Sequence, residues 1–125
     1  MGVMDLRKIS SYRKKVDVLR RKRNHLERMV MGRSPMVAGS FIPRRFRPGA
    51  PVVYYLSASI GGESRHRYVR KEQVGYWRQR AAGWKKFIQA MATWVKVNKE
   101  MEKALRKIGR LRCEPLPGGR PVGKG

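Results

Sequence analysis

Between positions 5 and 31 the apolar residues Ile9, Tyr12, Val16, Leu19, Leu26 and Val30 recur at steps of three and four. At about 100° per residue they form one stripe, which predicts an amphipathic helix over 5–31. Asp5 suits its start as a cap or first-turn acid, and Gly32 with Ser34-Pro35 suits its stop. Arg23 falls inside the apolar stripe. Residues 32–51 hold a cluster of prolines and glycines and read as a connection, with room for one short strand at 36–42. Arg44-Arg45-Phe46-Arg47, between Pro43 and Pro48, should be extended rather than helical.

The pattern then changes period. Residues 52–60 and 63–70 are rich in Val, Tyr and Ile and flank Gly61-Gly62, which predicts a β-hairpin over 52–70 closed by a two-residue turn. That turn pairs Ile60 with Glu63, Ser57 with His66 and Tyr55 with Tyr68. One face then carries Val52, Tyr54, Leu56, Ala58, Ile60 and Val69 and is expected to be buried. The other carries Val53, Tyr55, His66, Tyr68 and Arg70. A three- or four-residue turn would exchange the faces.

A second helix is expected over 71–108, ended by Gly109. Its first stripe is Val74, Trp77, Ala81, Trp84, Ile88, Met91 and Val95. Asn98 and Glu102 interrupt it, and Phe87, Trp94, Met101, Leu105 and Ile108 define a neighbouring stripe. A helix of about 38 residues spans roughly 57 Å, too long for a compact domain of this size, so it must project or pair. The resulting expectation is an α+β fold. Two long helices form a coiled-coil-like antiparallel hairpin, with a β-hairpin inserted between them. They make a single basic domain over 1–109, within a possible homodimer, followed by a flexible Pro/Gly-rich tail over 110–125.

Charge changes the picture most. The 125 residues carry 31 Lys and Arg against 8 Asp and Glu, a formal +23. Self-repulsion on this scale opposes compaction and calls for a polyanion. Nucleic acid is the first candidate and an anionic membrane surface the second. The 19 arginines exceed the 12 lysines, which favours bidentate phosphate contact and ring stacking. No apolar run approaches a membrane span, and the helix over 5–31 lacks Trp and Phe on its apolar side, so no membrane partner is expected. One cysteine, Cys113, cannot form an internal disulfide, which points to a reducing, cytoplasmic setting.

Three basic surfaces are candidates for nucleic-acid contact. Arg13, Lys14, Lys15, Arg20, Arg21, Lys22 and Arg23 place charge on successive turns of the first helix, as a phosphate backbone requires; a merely solvated face is the plain alternative. Arg44, Arg45 and Arg47 form an extended arm that could enter a groove, or a linker that buries Phe46. On the hairpin, Tyr55 and Tyr68, edged by His66 and Arg70, offer a stacking surface for unpaired bases, with Arg65 and Arg67 reaching phosphates beside it. The same tyrosines equally make a simple cross-strand pair.

Catalysis finds no support. Two histidines, one cysteine and no Cys-x-x-Cys leave no zinc set, no paired carboxylates suggest a two-metal site, and Ser59-Ile60-Gly61-Gly62 is neither a nucleophile elbow nor a phosphate loop. No enzyme activity, cofactor or metal is expected.

The segment from Gly39-Ser40 through Tyr54-Tyr55-Leu56 to Gly62 and Arg67-Tyr68-Val69-x-Lys71-Glu72 resembles a family of small uncharacterised prokaryotic proteins. These are often encoded near transposases and mobile elements. Their cysteine cluster, between the Gly-Ser and the tyrosine strand, is replaced here by residues 43–49, so no metal role carries over. Arg70 stands where the family has Pro. The resemblance implies a mobile-element or phage context and a larger mobile-element protein as a partner. The combined expectation is a non-enzymatic nucleic-acid-binding accessory protein of a ribonucleoprotein, with structured RNA ahead of duplex DNA. The rival is a helical interaction module that supports a transposase or nuclease.

Overall fold

The computed structural model describes residues 4–118. In chain order it holds α1 (Leu6–Val30), β1 (Ser40–Arg44), β2 (Val53–Ile60), β3 (Glu63–Val69), a 3-10 turn (Lys71–Gln73) and α2 (Val74–Arg112). The class is α+β, with an antiparallel sheet ordered β1-β2-β3 between the two helices in sequence. The chain divides into two compact units: Met1–Met31 with Ala90–Gly125, and Gly32–Gln89. α2 contributes to both.

In the first unit α1 starts as its sequence demands. The Asp5 carboxylate accepts the Lys8 backbone N–H at 3.1 Å, satisfying an otherwise orphaned first-turn donor. Val16 and Leu26 are buried with Ala90, Val97, Met101 and Ala104, and Tyr12, Leu19, Val30, Trp94 and Ile108 pack around them. The α1 stripe therefore reads as expected. The α2 stripes do so only in part: Trp94, Met101 and Ile108 of the second join this core. Val95 and Leu105 are exposed at 41% and 51%. The buried seam instead steps through Ala90, Trp94, Val97, Met101, Ala104 and Ile108. This route keeps a four-three spacing and leaves Asn98 and Glu102 outside it, while its two alanines permit close helix approach.

In the second unit Gly61 and Gly62 both adopt positive φ, 58° and 84°, the pair a two-residue hairpin turn needs. The expected register follows, with Tyr55 opposite Tyr68, Ser57 opposite His66 and Ile60 opposite Glu63. The hairpin gains a third strand. β1 pairs with β2 from Ser40–Ser57 to Arg44–Val53, shifted a few residues along the chain from the short strand expected at 36–42 and with Pro43 inside it. An edge strand tolerates a proline, which has no N–H to donate to a ladder. Gly39 sets the approach: a Cβ there would stand 2.7 Å from the Ser57 carbonyl oxygen.

Two further expectations are corrected. Ile60 was assigned to the buried face but is 60% exposed, because β1 pairs no further than Ser57 and the hairpin tip runs beyond it. Gly109 does not end α2, which continues to Arg112 and takes in the first residues assigned to the tail. A single glycine costs a helix only about 1 kcal/mol, and Leu111 is again half-buried. The rest of the tail, residues 119–125, lies outside the described residues.

Candidate nucleic-acid interface

Strand alternation sorts the sheet into two faces. On one lie Ile42 and Arg44 of β1, Tyr55 and Ser57 of β2, and His66 and Tyr68 of β3. The row Ile42, Tyr55, Tyr68 crosses all three strands. The tyrosine rings stand 5.8 Å apart at 71°, edge to face, and the Arg44 guanidinium lies 5.4 Å from the Tyr55 ring. Ser64 Oγ and the His66 ring are 3.4 Å apart. Tyr55 is half-buried and Tyr68 is 54% exposed. The edge-to-face angle means that one flat base can lie flush on only one of the two rings.

The opposite face meets α2. Phe41 and Tyr54 stack at 4.9 Å, and the Arg78 guanidinium sits 5.2 Å from each ring. Val69 on this face is buried, as is Ala81 of α2. Arg65 and Arg67 alternate onto this face, opposite Ala58 and Leu56, and are exposed; Arg65 approaches Glu63 at 3.5 Å. The hairpin residues proposed as one site are thus split, with Tyr55, His66 and Tyr68 on one side and Arg65 and Arg67 on the other. Arg70 lies past β3, exposed and extended, where its carbonyl accepts the Gln73 N–H. Arg45 and Arg47 are exposed between β1 and β2, and so is Phe46, at 69%, which removes the reading of this segment as a linker with a buried Phe46.

On α1, Arg13, Lys14, Lys15, Arg20, Arg21 and Lys22 are all exposed. They repeat at seven-residue intervals: Lys14/Arg21 opposite the buried stripe, with Arg13/Arg20 and Lys15/Lys22 flanking it on either side. Asp17 holds Arg20 at 3.3 Å and accepts from Arg21 Nε through its carbonyl at 3.4 Å. Arg23 differs. It is half-buried, 3.8 Å from Glu27, with Nε shielded from solvent and without a hydrogen bond.

Sequence reasoning placed no functional residue on α2. Arg78, Ala81, Ala82 and Lys85 recur at helical spacing and line one side of a cleft whose other side is the sheet. That spacing, beside Trp84, was the available signal. Among the described residues no group of His, Cys, Asp and Glu could hold a metal ion, and no helix is long and apolar enough to cross a membrane. No family model, curated protein or solved structure matches the chain.

Proposed function

We propose that this protein is a non-enzymatic nucleic-acid-binding accessory protein, with structured RNA preferred over duplex DNA. The observation that carries this is a sheet face bearing exposed Arg44 and Tyr68 beside Tyr55 in a chain of formal charge +23. Rings on a sheet face stack unpaired bases, and arginines beside them reach phosphates. The exposed row from Arg13 to Lys22 supplies a second phosphate-binding surface. The heptad steps of both helices favour an antiparallel coiled-coil-like pairing of α1 with the later part of α2. The cytoplasm and a mobile-element ribonucleoprotein are the proposed setting, on the strength of the sequence resemblance over residues 39–74.

Anisotropy of labelled RNA and DNA, titrated with protein between 50 and 200 mM salt, tests the reading. Affinity should fall steeply with salt, and Ala at Arg20, Arg21 and Lys22 together should flatten the slope. A salt-independent result, or no binding at low salt, refutes it. One observation favours a second reading, a helical module for a second copy or a larger mobile-element protein: Val95 and Leu105 remain exposed along α2. Binding through that stripe would survive high salt and be lost on Val95→Asp.

A further inference from the structure

A cleft in the Gly32–Gln89 unit lies between the sheet and the first turns of α2. We infer that it receives one unstacked nucleotide of a bound strand, with its phosphate at Lys85 and Arg78 and its base against Trp84. This rests on the nucleic-acid reading above and adds a site to it.

Three properties of the cleft support this. Its volume is about 870 Å³, within the range of roughly 300–1,000 Å³ for pockets that bind small molecules and far too small for a duplex. Its lining is chemically mixed in the way a nucleotide needs. Ser40, Ser57 and Ser59 line the sheet side of the space with Phe41 and Ala58. Arg78 and Lys85 contribute positive charge, and no acid lines the space. Trp84 contributes a ring held in place by stacking on Phe87 at 5.6 Å and 16°.

The third property is that the cleft is built rather than incidental. Gly39 lets the start of β1 approach β2 more closely than a side chain would allow, since a Cβ there would meet the Ser57 carbonyl oxygen at 2.7 Å. The Val37 N–H donates to the Arg80 carbonyl at 3.2 Å, tying the segment before β1 to α2. Arg78 is fixed over Phe41 and Tyr54, so its charge is already in position. RNA recognition characteristically splays single bases out of a strand into such spaces.

The test uses the full chain with a single-stranded uridine oligonucleotide carrying one 4-thiouridine. Ultraviolet crosslinks mapped by mass spectrometry should fall on cleft residues, Trp84 among them. Ala82→Phe, which fills the cleft, and Lys85→Ala, which removes an exposed cation, should each weaken single-strand binding. The first should cost roughly 5- to 150-fold, the range for losing one stacked base, and leave duplex binding unchanged. Circular dichroism checks that Ala82→Phe folds, and Lys85→Ala carries the test if it does not. Crosslinks confined to Tyr55 and Tyr68, with both variants binding as the parent does, would overturn the inference and leave the wider function standing. Failure of the parent to bind any RNA or DNA at low salt would overturn both.

Discussion

The Trp94 indole N–H donates to the Glu27 carboxylate at 3.0 Å, across 67 residues of sequence. It is a polar clasp on an otherwise apolar seam between α1 and the later part of α2, part-buried and flanked by Leu26 and Val97. Glu27→Ala should lower stability by about 1–2 kcal/mol, because the indole loses its acceptor in a place water reaches poorly. Glu27→Gln keeps an acceptor oxygen and should cost less. Urea midpoints for the two variants check the order; equal losses would mean that the carboxylate's charge, not the hydrogen bond, holds Trp94.

Arg23 occupies the step between Leu19 and Leu26 where the heptad expects an apolar side chain, and its Nε, 3.8 Å from the Glu27 carboxylate, is buried without a hydrogen bond. Asn98 Nδ2 is in the same condition, and both residues line one shallow pocket. A buried donor without an acceptor costs its desolvation, about 1–3 kcal/mol, which an apolar side chain does not, and the Glu27 carboxylate left behind is solvent-accessible and keeps Trp94. Arg23→Leu should therefore raise the unfolding midpoint, by up to about 1 kcal/mol, while leaving RNA affinity close to that of the parent. Arg20→Ala and Arg21→Ala should do the reverse, weakening RNA and barely moving stability. An affinity loss from Arg23→Leu equal to theirs would place Arg23 among the phosphate contacts.

Much of this was legible in the sequence. The α1 stripe, the Asp5 cap and the Gly61-Gly62 turn are each set by local chemistry, and each was read correctly from spacing and residue type. Other features are set by tertiary relations. β1 contains Pro43, which argues against a strand unless the strand lies at an edge, and nothing local reveals an edge. The large side chains Trp94, Met101 and Ile108 mark a stripe that does pack on α1, but Val95 and Leu105, one from each of the two stripes, stay exposed while the small Ala90 and Ala104 are buried. Nothing local marks Arg78, because Phe41 and Tyr54 come beneath it only through the sheet.

Glycine positions divide into two kinds of constraint. Gly61 and Gly62 need positive φ, so Ala at either should cost about 1–2 kcal/mol. Gly39 needs space instead, and Gly39→Ala must push β1 away from Ser57 at about 1–3 kcal/mol. The difference shows in amide exchange. Gly39→Ala should open the β1–β2 hydrogen bonds and leave the β2–β3 pairs protected, whereas Gly61→Ala should weaken β2–β3 first.

The two tyrosines paired across β2 and β3 are not equivalent. Tyr68 is the more exposed ring, and Tyr55 is half-buried with Arg44 against it. At 71° to each other they cannot both lie flat against the same base. Tyr68→Ala should therefore remove the stacking contact, weakening single-stranded RNA by about 1–3 kcal/mol with little change in stability. Tyr55→Ala should lose stability as well, since it removes the middle of a row that crosses all three strands. Tyr68→Phe retains the ring and should bind as the parent does. If it binds as weakly as Tyr68→Ala, the phenol hydroxyl rather than the ring face makes the contact, and the site reads base edges instead of stacking on them.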